Sequence, residues 1–167
     1  MTNTLQIKYN KVFVYLISIF LVGLILIINL AKHVDDKPFI ILNIGLGVLT
    51  LFVFLKFLFP AINNKIALEL NNEGIYDFVR NQETSWTNVT GITKIFFGRG
   101  QSGLGILLSD KKQFISQKTL LKRLLLKYNS FWYSTPFIIL FSFLEGNNDD
   151  ILKALQNYYA EVQQQTK

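Results

Sequence analysis

Cysteine is absent from this 167-residue chain, which removes disulfides, thiolate catalysis, zinc-ribbon chemistry and thiol-linked lipid anchors at once. Histidine occurs once, at His33, so neither a paired-imidazole acid–base site nor a histidine metal cage has a second member. Negative charge is scarce: 11 acidic residues face 17 basic ones, a net charge of +6 that suits anionic partners such as lipid headgroups or nucleic acid. No nucleophile stands in a visible arrangement with a base, so the chain reads as a non-enzyme without a cofactor or small-molecule substrate.

Apolar side chains are plentiful, and they are not spread evenly. From Val12 to Leu30 only Ser18, Gly23 and Asn29 interrupt the apolar run. Nineteen residues at a helical rise of 1.5 Å cover about 28 Å, close to the hydrocarbon thickness of a bilayer. A second run, Pro38 to Phe59, holds only Asn43, Thr50 and Lys56 as polar side chains, with Lys56 near enough to the end to reach the interface. The link Ala31–Lys37 is too short for anything but antiparallel neighbours. The first run is longer than a signal-peptide core and a second follows at once, so both are read as spans.

Lys8 and Lys11 ahead of the first span balance Lys32 and Lys37 in the link. Lys56 and Lys65 break the tie, placing both termini in the cytosol. Asn29 and Asn43 lie toward the outer end of their spans, where they either hydrogen-bond across the hairpin or are solvated at the interface. His33, Asp35 and Asp36 in the link are too few to cage a metal.

After Pro60 the pattern shortens to alternating segments broken by turn residues, the signature of strands. Lys65–Leu70 and Ile75–Arg80 form a hairpin about Asn71-Asn72-Glu73-Gly74. Further strands are expected at Thr84–Val89, Gly91–Phe97, Gly103–Ser109 and Gln113–Ile115, with Trp86 in the core. Thr135–Leu144, apolar on both faces but too short to span, reads as a buried strand. Asn147, Asn148, Asp149 and Asp150 then cap a helix with Ile151, Leu152, Leu155, Tyr158, Tyr159 and Val162 on one stripe.

The expected architecture is therefore a membrane hairpin in residues 1–60, with spans 12–30 and 38–59, followed by one soluble α+β, mainly β domain in residues 61–167 that a C-terminal amphipathic helix closes. Four stretches carry a resemblance: IALELNNEGI at Ile66–Ile75, Trp86 within TSWTNV, Pro136-Phe137-Ile138-Ile139, and Leu144 followed by Asp150-Ile151-Leu152. In these the chain resembles a bacterial family of small pleckstrin-homology-like (PH-like) membrane proteins with two leading transmembrane helices, mostly of uncharacterised function. The resemblance runs nearly end to end and implies a PH-like barrel plugged by the last helix, in the bacterial inner membrane. Its motifs are structural and bring no catalytic residues. Pleckstrin domains that hold phosphoinositides use a basic loop between their first two strands; the corresponding turn here, Asn71–Gly74, has no positive charge, which counts against that ligand.

Gly98-Arg99-Gly100-Gln101-Ser102-Gly103 fits a dinucleotide-binding spacing but is followed by strand-like residues, so it reads as a hairpin loop with Arg99 at its tip. The richest segment is Lys111–Lys127, which carries Lys111, Lys112, Lys118, Lys122, Arg123 and Lys127 and no acid. As a helix from Gln117 it gathers Leu120, Leu121, Leu124, Leu125 and Tyr128 on one face. Leu126 stands alone on the basic side, and Phe131, Trp132 and Tyr133 follow. Two readings stay open: the leucines pack on the barrel, or the helix lies in the headgroup layer. No stacking platform interleaves with the bases, so nucleic acid is not expected.

The function expected from these residues is a membrane-anchored interaction module that binds a protein partner, an anionic membrane surface, or both, through Lys111, Lys112, Lys118, Lys122, Arg123, Leu126, Lys127 and Trp132. The alternative is an immunity protein or regulatory subunit acting inside the membrane through its hairpin, for example against a pore-forming toxin, with Asn29, Asn43 and Lys56 as its polar groups.

Overall fold

Asn10 starts the first apolar helix: its Oδ1 accepts the amide of Phe13 at 3.1 Å, satisfying a first-turn donor that has no partner in the helix itself. This helix, α1, spans Lys11–Leu30 in the computed structural model, which describes residues 4–30, 37–98 and 100–165. Its partner α2, Lys37–Val53, continues through a π-helical segment, Phe54–Leu58, into α3, Phe59–Ile62. Pro60 explains the π segment. It has no amide to give the Lys56 carbonyl, and the ladder widens just before it, with Phe59 donating to Phe54. The helix therefore continues past Phe59 to Ile62.

Both helices are long and apolar enough to cross a membrane. Only 11% and 6% of their apolar windows are buried, so neither is the core helix of a globular domain. Residues 8–65 form one compact unit.

The other unit takes the residues up to Ile7 together with those from Ile66 onward. Its first sheet has the order β1-β2-β3-β4, from β1 (Leu5–Lys8), β2 (Ile66–Leu70), β3 (Gly74–Asp77) and β4 (Gln82–Ser85). The second has β5 (Val89–Gly98), β6 (Gln101–Leu108) and β7 (Phe137–Leu140) in that order. Leu68, Leu70, Ile75, Leu104, Ile106 and Ile138 of these strands are fully buried. Gly74 is required where it stands, because a Cβ there would collide with the Thr84 carbonyl on the neighbouring strand.

The last helix is α6, Asn148–Gln165, begun by Asn147 Oδ1 accepting the Asp149 amide at 2.9 Å. It buries Ile151, Leu155, Tyr158 and Val162. Tyr158 stacks on Trp86 at 5.7 Å, and the indole donates to the Asn71 carbonyl at 2.6 Å. Tyr159 donates to Val89 O at 3.1 Å and Gln156 to Ile92 O at 3.2 Å, tying the helix to β5.

The structure corrects several expectations. A strand, β1, stands within the residues expected as tail, and it belongs with the sheet rather than with the hairpin. Gln113–Ile115 is not a strand but part of α4, Lys111–Ser116, because Asp110 accepts the Gln113 amide and starts a helical turn. The strand expected at Ile75–Arg80 stops at Asp77, whose carboxylate accepts the amides of Val79 and Arg80 and turns the chain. The one expected at Thr84–Val89 divides at a 3-10 turn, Trp86–Asn88, and Thr135–Leu144 narrows to β7 before another, Phe141–Phe143. The two sheets do not close into a barrel among the described residues.

Candidate functional site

Between β6 and β7 the chain makes α4 and then α5, Leu120–Tyr133. Five interactions fix this pair. Phe114 of α4 is buried and stacks on Phe137 at 5.5 Å, and Lys118 lies 5.1 Å from the Phe114 ring. Arg123 donates from Nε and Nη2 to the carbonyls of Lys118 and Ser116, bracing the turn between the helices. Lys111 donates to the Ser134 carbonyl just past the end of α5, where Ser134 takes a left-handed φ of 60°.

The orientation of α5 is opposite to the usual one. Leu126 is fully buried, with Asn129 beside it, whereas the broad leucine face points outward. Leu120 is 72% exposed, Leu121 79% and Phe131 81%, and Leu124, Leu125, Tyr128 and Trp132 are exposed with them. Leu126, expected as a surface contact on the basic side, is thus the anchor that seats the helix on its domain. The leucines expected as one possible packing face do not pack there.

At 100° per residue the exposed apolar side chains fill about 140° of the helix circumference. Tyr133, Leu126 and Asn129 lie in the sector that packs. Arg123 and Lys127 are exposed and border the apolar arc at Leu120. Lys122 sits in the packing sector, half-buried, and reaches the Asn81 carbonyl at 3.4 Å. Lys112 and Lys127 have no partner among the described residues. At the far end of the arc the rings cluster, Tyr128 and Phe131 lying 6.2 Å and 5.4 Å from Trp132.

Comparison of the chain with protein-family models, with curated proteins and with solved structures returned no match.

The polar groups of the apolar helices are also placed. Asn29 Nδ2 donates to Asn43 Oδ1 at 3.1 Å and to its own-helix carbonyl at Ile25, so the two amides meet across α1 and α2. Lys56, in the π segment, holds its ammonium 5.6 Å from both Phe52 and Phe57. His33, Asp35, Asp36 and Arg99 lie outside the described residues. The glycine-rich stretch around Arg99 joins β5 to β6 as a hairpin, with Gly98 at φ 83° and Gly100 at φ 76°.

Three other polar groups, Asn88, Arg80 and Tyr76, are occupied with structure. A cleft of about 480 Å³ between β4 and α4 is lined by Glu83, Asn88, Asp110 and Gln117, but Asn88 Oδ1 is already taken by Ser109 and the Asp110 amide. Burial pushes the Arg80 guanidinium below its usual range while Asp77 pulls it back, and Arg80 donates to Ile138 O at 3.1 Å. Its hydrogen bond to Glu73 pushes the Tyr76 phenol up. No group of three metal-ligating side chains exists among the described residues.

Proposed function

We propose that this chain is a non-enzymatic, membrane-anchored interaction module of the bacterial inner membrane, its hairpin spanning the bilayer and its PH-like domain in the cytosol with both termini. The observation that carries the reading is the solvent-exposed apolar arc of α5, bordered by Arg123 and Lys127. Isolated exposed leucines are ordinary; a contiguous arc of seven apolar and aromatic side chains on one helix is a docking surface for a protein, a lipid surface, or both.

Membrane insertion is supported by the length and exposure of α1 and of α2 through α3. Removal of α1 as a leader is disfavoured because β1 precedes it and would leave with it. The PH-like reading is supported by a four-stranded sheet and a three-stranded sheet, each with its strands in chain order, and a C-terminal helix stacked on Trp86. With β1 counted, the connection between the first two strands is residues 9–65, not the Asn71–Gly74 turn. At the position where pleckstrin domains carry their ligand loop, this chain carries its membrane hairpin.

The test is in-membrane crosslinking of the full chain, comparing the native protein with a Leu121→Ser, Leu125→Ser, Phe131→Ser variant. Loss of its crosslinks or of its lipid contacts in the variant is expected, and an unchanged pattern refutes the arc as the working surface. A second reading, a regulatory or immunity subunit acting through the hairpin, is favoured by the Asn29–Asn43 pair. Exchanging the hairpin for an unrelated one abolishes activity under that reading and preserves it under the first.

A further inference from the structure

We infer that the free face of α5 lies in the headgroup layer of an anionic bilayer, an in-plane lipid contact additional to the two spans. This rests on the anchored-module reading and names what covers its docking surface.

Charge distribution decides between lipid and protein. Lys111–Lys127 holds six bases and no acid, and so accounts for the whole net charge of +6; the other eleven bases in the chain are matched by eleven acids. No acid occurs from Lys111 through Leu144 either, so nothing on α4 or α5 repels an anionic surface. Arg123 and Lys127 stand at the border of the apolar arc rather than within it, as an interfacial helix requires: side chains of the arc enter the acyl boundary while the unpartnered Lys127 reaches phosphates and Arg123, tied to the turn, adds its charge beside them.

Length excludes a third span. Fourteen residues give about 21 Å, well short of the hydrocarbon thickness, so the arc meets lipid only by lying flat. Tyr128 and Trp132 of the ring cluster are amphipathic aromatics of the kind that settle at the membrane–water boundary, and Phe131 adds an apolar ring beside them. Leu126 holds the helix to its domain from behind, so the face is presented without unfolding anything.

The absence of cysteine makes a clean test possible. Full-length protein carrying one nitroxide at Leu121→Cys, Leu125→Cys or Phe131→Cys is reconstituted into vesicles of phosphatidylcholine, with or without phosphatidylglycerol. Asn157→Cys, exposed on α6, is the reference. With phosphatidylglycerol present, the arc sites are expected to gain collisions with oxygen and lose them with a water-soluble nickel chelate, while Asn157→Cys stays accessible to the chelate. Trp132 gives the same reading without a label through quenching by brominated lipid, Trp86 being buried as the internal reference.

Arc sites as open to the chelate as Asn157→Cys overturn the lipid assignment. So does shielding from both reagents, which marks a second copy of the chain on the arc and leaves the interaction-module reading standing. Equal insertion into phosphatidylcholine alone overturns the requirement for negative charge. Water-exposed arc sites together with unchanged crosslinks in the serine variant overturn the module reading itself.

Discussion

Leu125 and Leu126 are neighbours in the chain and face opposite ways: Leu125 is 54% exposed, Leu126 fully buried. Their substitutions are therefore expected to separate stability from surface function. Leu126→Ala leaves a cavity beneath α5 and costs about 2–5 kcal/mol. Leu125→Ser stays within about 0.5 kcal/mol of the native stability. Urea unfolding of the two variants checks this, and equal costs would show that α5 packs otherwise.

Gln6 donates to Glu69 at 2.9 Å across 63 residues of sequence, a side-chain link between β1 and its neighbour β2. A soluble version made by deleting residues 1–60 loses this strand, the burial of Ile7 and the cover on the β2 edge. One in which a flexible linker replaces residues 9–64 keeps them. The second is expected to be more stable by about 2 kcal/mol, from the buried isoleucine alone, and less prone to associate. Denaturant titration with sedimentation tests both points.

Trp86 joins the Asn71 turn to α6. Trp86→Ala is expected to cost about 3–5 kcal/mol. Trp86→Phe keeps the stack but leaves the Asn71 carbonyl without its donor, for about 1–2 kcal/mol. Thermal unfolding distinguishes the two losses, and a Phe variant as damaged as the Ala one would mean that the hydrogen bond, not the stack, dominates.

Asp149 lies 2.7 Å from Lys94, whose hydrogen bond and charge hold the carboxyl below its ordinary value of 3.8. A folded pKa below the unfolded one gives stability that is present above the unfolded value and lost as pH falls through the folded one. The side chain is exposed, so the effect is small and screened by salt. Carboxyl NMR should place the Asp149 titration below 3.8 and move it upward in Lys94→Met; an unmoved midpoint rules out the pairing.

Asn29 and Asn43 bridge α1 and α2 at 3.1 Å. A double-mutant cycle of Asn29→Leu and Asn43→Leu, read by unfolding in bicelles, is expected to give a coupling of about 0.6 kcal/mol, with about 1.7 as a ceiling. Zero coupling would mean that each amide is served by its own helix or by water.

The two apolar helices were legible because a run of that length needs no knowledge of its neighbours. The β2–β3 hairpin was legible from Asn71-Asn72-Glu73-Gly74, and α6 from the cap at Asn147 and the acids in its first turn. The face of α5 was not. A helix with one wide leucine stripe is ordinarily seated on that stripe, and only tertiary packing shows that Leu126 and Asn129 do the seating. The bases were visible as a block, but Arg123 and Lys111 spend their donors on carbonyls of Ser116, Lys118 and Ser134, which no spacing announces. β1 is not legible because a four-residue strand has too little alternation and its partner lies beyond the hairpin.

The placement of β1 also sets an order of events during synthesis. It is made before both apolar helices and its neighbour β2 only after them, so this edge of the sheet waits for them. Closing a free loop of that length would cost about 3–4 kcal/mol in chain entropy. The packing of α1 on α2, with Asn29 meeting Asn43, folds the chain back on itself and removes most of that cost. Formation of the α1–α2 pair is then the step that precedes completion of the first sheet, and a chain in which that pair fails to form carries an open β2 edge, a ready target for quality control.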